Sequence, residues 1–318
     1  MTRFVLHRTG QAAVVLVLAS IVIFAAVHLL PGDPAAIYAG SNATPDVIAS
    51  VHRSFGLDQP LPVQYIDWLS NVLRGNLGVS FVSDVPVSQL IGQTLPVTLA
   101  LGFATIAFAV FVGLGCGVVA ARNRGRWVDR LVAAYNVVGL GVPNFWLGFV
   151  LLIVFAAKLR WFPVGGYTSA SDNFVDWMRG LVLPAVALGA YLSAWQARFV
   201  RNAMLDVLAE DYVRTARSKG LGETAVLLRH ALRNIMVPVL TVIGIQAGRV
   251  LSGAVVIETV FSIPGMGRLM VQSVLNRDYA VLQALLIVFV FTYLIINFLV
   301  DIANVMLDPR LRSDVLRG

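Results

Sequence analysis

Six stretches of about twenty apolar residues, parted by short polar segments, limit what this 318-residue chain can fold into. They run approximately over 11–30, 96–121, 131–157, 181–200, 235–257 and 280–300. Each is long enough to cross a hydrocarbon core as a helix, an element that satisfies its backbone hydrogen bonds internally. Composition points the same way. The chain is 58% hydrophobic and 13% charged, with a mean hydropathy of +0.79, whereas soluble domains carry about 25% charged residues. The expectation is an all-α integral membrane protein with six transmembrane helices. Its length leaves room for one membrane domain and a modest extramembrane insertion. The net charge of +7 is spread over loops beside apolar spans, a pattern of membrane orientation and not of nucleic-acid binding. Cys116 is the only cysteine and lies inside an apolar span. No disulfide or metal framework follows from it, and it reads as a small packing residue.

The first stretch follows Arg3, His7 and Arg8 and has no small-residue cleavage site. It reads as a retained anchor and not a removed signal peptide. An even number of spans puts both termini on one side. With the amino terminus inside, the inner segments carry 16 Arg and Lys residues and the outer segments 8. This twofold bias places both termini in the cytoplasm.

Residues 31–95 form the first outer segment, with five aspartates (Asp33, Asp46, Asp58, Asp67, Asp84) against Arg53 and Arg74. After Pro45-Asp46, the spacing of Val47, Val51 and Phe55 predicts a short capped helix. Tyr65, Leu69, Val72 and Leu73 form a second apolar stripe, with Asp67, Asn71 and Arg74 opposite. Gly56, Pro60 and Pro62 separate the two. The segment is expected to be a cap of amphipathic helices on the outer face. Asn42-Ala-Thr44 matches a glycosylation sequon, a pattern short enough to arise by chance.

Within the spans, Gly113, Gly115 and Gly117 read as a face for close helix packing. Trp161, Tyr167 and Trp177 fit an interfacial aromatic belt. Asn136, Pro143 and Asn144 put polar groups and a helix-bending proline in the third span, where they either bond another helix or line a solute path. Tyr191, Trp195 and Gln196 raise the same choice in the fourth. The fifth holds Pro238, Gly244, Gln246, Gly248, Arg249, Ser252 and Gly253. Arg249 lies well inside it, where a lipid-facing arginine costs roughly 3 kcal/mol or more. It either lines a watery path, pairs, or snorkels outward. Gln246, Arg249 and Gly253 share one helical face. After the fifth span, Pro264, Gly265 and Gly267 force a sharp re-entry, and 269–275 can form a short helix.

The long charged block on the Arg-rich side is Asp211 to Arg233. It carries Arg214, Arg217, Lys219, Arg229 and Arg233 with Asp211 and Glu223, and Glu210 precedes it. Gly220 and Gly222 divide it into two short helical pieces, the first capped near Lys219 by Gly220. The second, about 223–232, puts Val226, Leu227 and His230 on one side. A turn between spans needs no such length, so the block reads as a docking surface.

This block resembles the cytoplasmic loop of ABC-importer permeases, whose pattern is Glu-Ala-Ala, three residues, Gly, nine residues, Ile-x-Leu-Pro. Ala216, Gly220 and Leu232 keep that pattern, while Arg214, Thr215, His230 and Arg233 replace the Glu, first Ala, Ile and Pro. Tyr-Val-Arg-Thr-Ala-Arg-Ser-Lys-Gly-Leu, with Arg-His-Ala-Leu-Arg-Asn and Pro238, is similar to the dipeptide/oligopeptide/nickel branch. Leu-Pro-Gly-Asp-Pro (30–34), Gly-Leu-Asp-Gln-Pro-Leu (56–61), Gln64-Tyr65, Gly75-Asn-Leu-Gly78 and Ser80-Phe81 resemble the first, B-type, permease subunit of dipeptide importers, although that family usually has Asp where Asn76 stands. Glu258 to Tyr279 and Asp308-Pro-Arg310 extend the likeness over nearly the whole chain.

The resemblance implies a type I importer permease fold with a helical periplasmic insertion. Its divisions would be 1–30, 31–95 and a five-helix core 96–318 with a coupling loop at about 203–234. It implies a transport subunit and not an enzyme, multi-pass in the bacterial inner membrane. The partners would be a homologous second permease in a heterodimer, two cytoplasmic ATPases, an extracytoplasmic solute-binding protein, membrane lipid and a peptide substrate, with no nucleic acid. No cofactor would sit on this chain; ATP and Mg belong to the ATPases. Nickel chelates and haem are the alternative cargoes. The expected coupling residues are Asp211, Arg214, Ala216, Arg217, Lys219, Gly220, Leu221, Gly222, Glu223 and His230, with Ala216 and Gly220 allowing close approach to the ATPase. The expected path residues are Asn136, Asn144, Gln246, Arg249 and Ser252. Relatives commonly have an uncharged residue at the Arg249 position; on the path it could pair with a peptide carboxylate.

Other classes lack their signatures. There is no phosphate-binding Gly-x4-Gly-Lys-Ser/Thr loop, no His-Glu-x2-His and no Gly-x-Ser-x-Gly, and His7, His28, His52 and His230 are scattered. A secondary transporter would be expected to carry intramembrane carboxylates and repeated halves, yet only Glu258 and Asp301 lie at span edges.

Overall fold

The computed structural model describes residues 2–29, 33–40, 43–54 and 56–307. Leu30, Pro31 and Gly32, Asn42 of the sequon, Phe55 of the first amphipathic stripe and Asp308-Pro-Arg310 lie outside them. Among the described residues every regular element is a helix. The chain divides into two compact units, residues 1–98 with 264–294 and residues 99–263 with 295–318.

The first unit contains α1 (Thr2–His28), α2 (Pro34–Ala39), α3 (Pro45–Ser54) and α4 (Leu61–Leu73). It also holds the start of α5 (Val87–Arg122), α12 (Met266–Leu275) and the start of α13 (Tyr279–Leu307). Pro60 and Pro62 flank the start of α4, where a missing N–H costs nothing. α4 packs along the second half of α1: Ser20 and Tyr65 share a hydroxyl hydrogen bond at 2.9 Å, and the Phe24 ring meets Tyr65 edge-on at 5.5 Å and Trp68 at 5.9 Å. The packed face of α4 therefore includes Trp68, while Leu73, expected in the stripe, is 79% exposed at the helix end. Buried Asp278 begins α13 and accepts hydrogen bonds from the Ser80 hydroxyl and the Phe81 and Val281 N–H groups. One carboxylate thus caps a helix and pins the 78–86 turn.

The second unit is arranged around α8 (Phe174–Leu208), against which α6 (Trp127–Gly141), α7 (Asn144–Leu151) and α11 (Arg233–Val260) pack. Asn173 caps α8 by accepting from the Val175 and Asp176 N–H groups. Small residues set the helix spacing. A Cβ on Gly113 would lie 2.8 Å from the Gln196 Cβ, and one on Gly117 would lie 2.6 Å from the Val200 Cβ. Gly115, expected on the same face, meets open space, because only the i, i+4 pair falls on one side of a helix.

Among the described residues five helices are long and apolar enough to cross a membrane, and a bent pair, counted as one span, brings the number to six. α6 and α7, which continues as a π-helix through Lys158, meet at an angle of 105°. The sequence led to the expectation of a bend at Pro143. The structure shows a complete break, with Val142 extended at φ −89° and ψ 124°, the region that a residue before proline favours.

Candidate functional site

Two places in the second unit combine residue chemistry with access. The first is the charged block. α8 ends at Leu208, Glu210 is extended, and α9 (Asp211–Ser218) begins. Lys219 closes α9, and Gly220 at φ +81° turns the chain back. α10 (Glu223–Ala225) leads into a π-helical turn, Val226–Leu232, which continues directly into α11.

The inner side of this hairpin is apolar. Val213 and Ala216 of α9 are buried, as are Val226, Leu227 and Ala231 of the π turn. Leu227, Ala231 and Ile235 join a core cluster with Ala121, Val200 and Met204. The block therefore sits firmly on the ends of α5 and α8. The Ala216 methyl faces inward at 7% exposure, so its small size lets α9 lie close against its own chain. His230 is half-buried.

The outer side is polar and open. Asp211, Arg214, Arg217, Lys219, Gly222 and Glu223 are exposed, and Leu221 is 39% exposed. Arg217 spans the turn and binds Glu223 through both carboxylate oxygens, Nε at 3.2 Å and Nη2 at 2.7 Å. Donating these hydrogen bonds to the Glu223 carboxylate raises the Arg217 pKa above its ordinary value. Both partners are well exposed, so the pair contributes at most about 1 kcal/mol, but it fixes the shape of the turn. Arg214 pairs more loosely with Asp211 at 3.4 Å. A Cβ on Gly220 would meet nothing within 4 Å.

A residue missed by the sequence reading supports the same end of the molecule. The 122–130 loop joins α5 to α6. There Asp129, 7% exposed, takes a two-pronged bond from Arg201 of α8, with Nε at 2.6 Å and Nη2 at 2.8 Å, and accepts the Gly125 N–H at 2.9 Å. Arg201 had counted only as one positive charge among many; no local spacing links residues 72 positions apart.

The second place is a cavity of about 350 Å3 at the α6–α7 break, lined by Val142–Asn144, by Leu188 and Tyr191 of α8, and by Arg249 and Gly253 of α11. Of the five expected path residues, Asn144 and Arg249 meet here. Gln246 is buried, and its amide donates to the Leu192 carbonyl at 3.1 Å across the α8–α11 contact. Asn136 is buried with its Oδ1 unpartnered. Ser252 is exposed but does not line the cavity.

Among the described residues, membrane-length helices carry a charged hairpin between α8 and α11, and no cluster of His, Cys, Asp and Glu is placed to hold a metal ion. The chain belongs to the family described as binding-protein-dependent transport system inner membrane component. Residues 113–313 match that family, and residues 1–102 match its N-terminal companion. It is a multi-pass permease subunit, not an enzyme, of systems that also use ATPase and substrate-binding subunits. It is 44% identical to a probable peptide ABC transporter permease protein, y4tP, from Sinorhizobium fredii, over 97% of this chain and 99% of the relative. It is 43% identical to the glutathione transport system permease protein GsiC of Salmonella typhimurium, over 98% and 99%. In fold it is similar to a chain of the inward-facing MetNI methionine ABC transporter, with a TM-score of 0.59 at 17% identity, covering 70% of this chain and 98% of that one. The type I importer permease fold expected from the sequence is thereby established.

Proposed function

We propose that the chain is one of two different permease subunits of an ATP-driven peptide importer, with both termini in the cytoplasm. The charged hairpin 211–233 docks on an ATPase subunit and carries its motion into α8 and α11. The observation that carries this reading is the hairpin itself. It has a continuous apolar core on its inner side and a shaped, solvent-facing polar side, which a simple connection between spans does not need. Arg217, Lys219, Leu221 and Glu223 supply the contacts, and Gly220 supplies the turn. The relatives named for peptide and glutathione transport support a peptide cargo. Asn144 and Arg249 are the path residues, and cargo choice rests largely with the binding protein.

The test is uptake by the reconstituted complex of both permeases, the ATPases and the binding protein. Labelled di- and oligopeptides should enter proteoliposomes only with ATP. Uptake without the ATPases would contradict the reading. Uptake of a nickel chelate or haem in place of peptides would keep the architecture and change the cargo.

A further inference from the structure

The cavity at the α6–α7 break carries an uncompensated charge. The Arg249 guanidinium has five N–H donors, and the side-chain partner it meets is the Tyr191 hydroxyl, 3.4 Å from Nη1. No carboxylate lies within ion-pair distance of it among the described residues. Asn144 spends its Oδ1 on the Phe145 N–H at 2.8 Å, which leaves its amide donor free. α7 also begins at Asn144, and the first turn of a helix carries the positive end of its dipole. The side chains that line the cavity thus offer donors and positive charge and no anion.

Depth makes that arrangement expensive unless it is used. Arg249 lies sixteen residues from Arg233 and eleven from Val260 along α11, about 24 and 17 Å at 1.5 Å per residue. Tyr191 is the middle residue of α8. Arg249 therefore lies within the apolar helix and at neither of its ends, on the side that faces the cavity. Intramembrane charges without a protein partner mark solute pathways, and broken helices at mid-depth are where transporters hold charged solutes. The volume, about 350 Å3, is at the small end of ligand sites and suits a terminal group with one residue.

We propose that this cavity is a carboxylate-holding station, in which Arg249, flanked by Tyr191 and Asn144, pairs with the free carboxylate of the passing solute. The assignment rests on the reading of the chain as a peptide permease and names the part of the peptide that the path engages.

The experiment uses the assembled complex and a dipeptide with two uncharged side chains, as the free acid and as its C-terminal amide. Arg249→Gln and Arg249→Glu should lower ATP-driven uptake of the free acid about tenfold or more, the worth of a charge-assisted hydrogen bond. Arg249→Lys should keep most of it. Uptake unchanged in Arg249→Gln, or lost equally in Arg249→Lys and Arg249→Gln, would overturn the proposal. In the wild-type complex, phenylglyoxal modification of Arg249, followed by mass spectrometry, should be slowed by the free acid and not by the amide. Equal effects of the two would overturn it as well. If the wild-type complex takes up no peptide, the cargo reading fails by itself, while protection by the acid alone still upholds the cavity assignment.

Discussion

Gly220 holds φ +81° at the tip of the charged hairpin, with open space where a side chain would point. Its role is therefore conformational, since an L-residue in the left-handed region costs about 1–2 kcal/mol and a β-branched one most. Gly220→Val should abolish the stimulation of ATP hydrolysis by loaded binding protein, and Gly220→Asn should retain much of it, because Asn tolerates this region. Equal loss in both would point to a steric role against the partner. The sequence made this glycine legible, because a cap after a helix ending in Ser-Lys has a recognisable grammar. Asp129 was not legible. Its importance comes from Arg201, which only the α6–α8 packing brings to it. Asp129→Asn should lower the stability of the purified chain by about 1–3 kcal/mol, the worth of hydrogen bonds to a charged group, read as a drop in thermal midpoint in detergent. An unchanged midpoint would remove the clamp from the account.

At the scale of elements, the spans were readable from apolar length alone, but their contacts were not. Gly113, Gly115 and Gly117 look alike in the sequence, yet Gly117 meets Val200 and Gly115 meets nothing. Gly117→Ala should destabilise the α5–α8 contact by about 1–3 kcal/mol through overpacking, while Gly115→Ala should be neutral in the same thermal assay. If both behave alike, the packing face is misassigned. Pro143 announced a disturbance in the third span, but not a 105° break. The angle depends on what α7 finds to pack against: Gly148 lies against Phe261, and Gly165 sits under the Phe261 carbonyl, contacts more than ninety residues away in the chain. The π-helical turn at 226–232 was likewise invisible, because the 3.6-residue pattern of Val226, Leu227 and His230 suits an ordinary helix equally well.

For the whole molecule, the outcome follows from where charge is tolerated. Arg249 stands within a membrane-length helix, beside a cavity, and the exposed charges of the hairpin gather between α8 and α11. The expected path residues that share a helical face in the sequence separate in the fold: Gln246 goes to the Leu192 carbonyl and Arg249 to the cavity. Helical periodicity places a residue on a face but does not say whether that face meets another helix or a void. The central claim is that the exposed side of the hairpin is gripped by an ATPase. It is tested by placing a benzophenone-maleimide on Leu221→Cys in a Cys116→Ala background, irradiating the assembled complex and identifying the adduct by mass spectrometry. The account predicts a cross-link to the nucleotide-binding subunit; adducts confined to lipid or to the binding protein would contradict it.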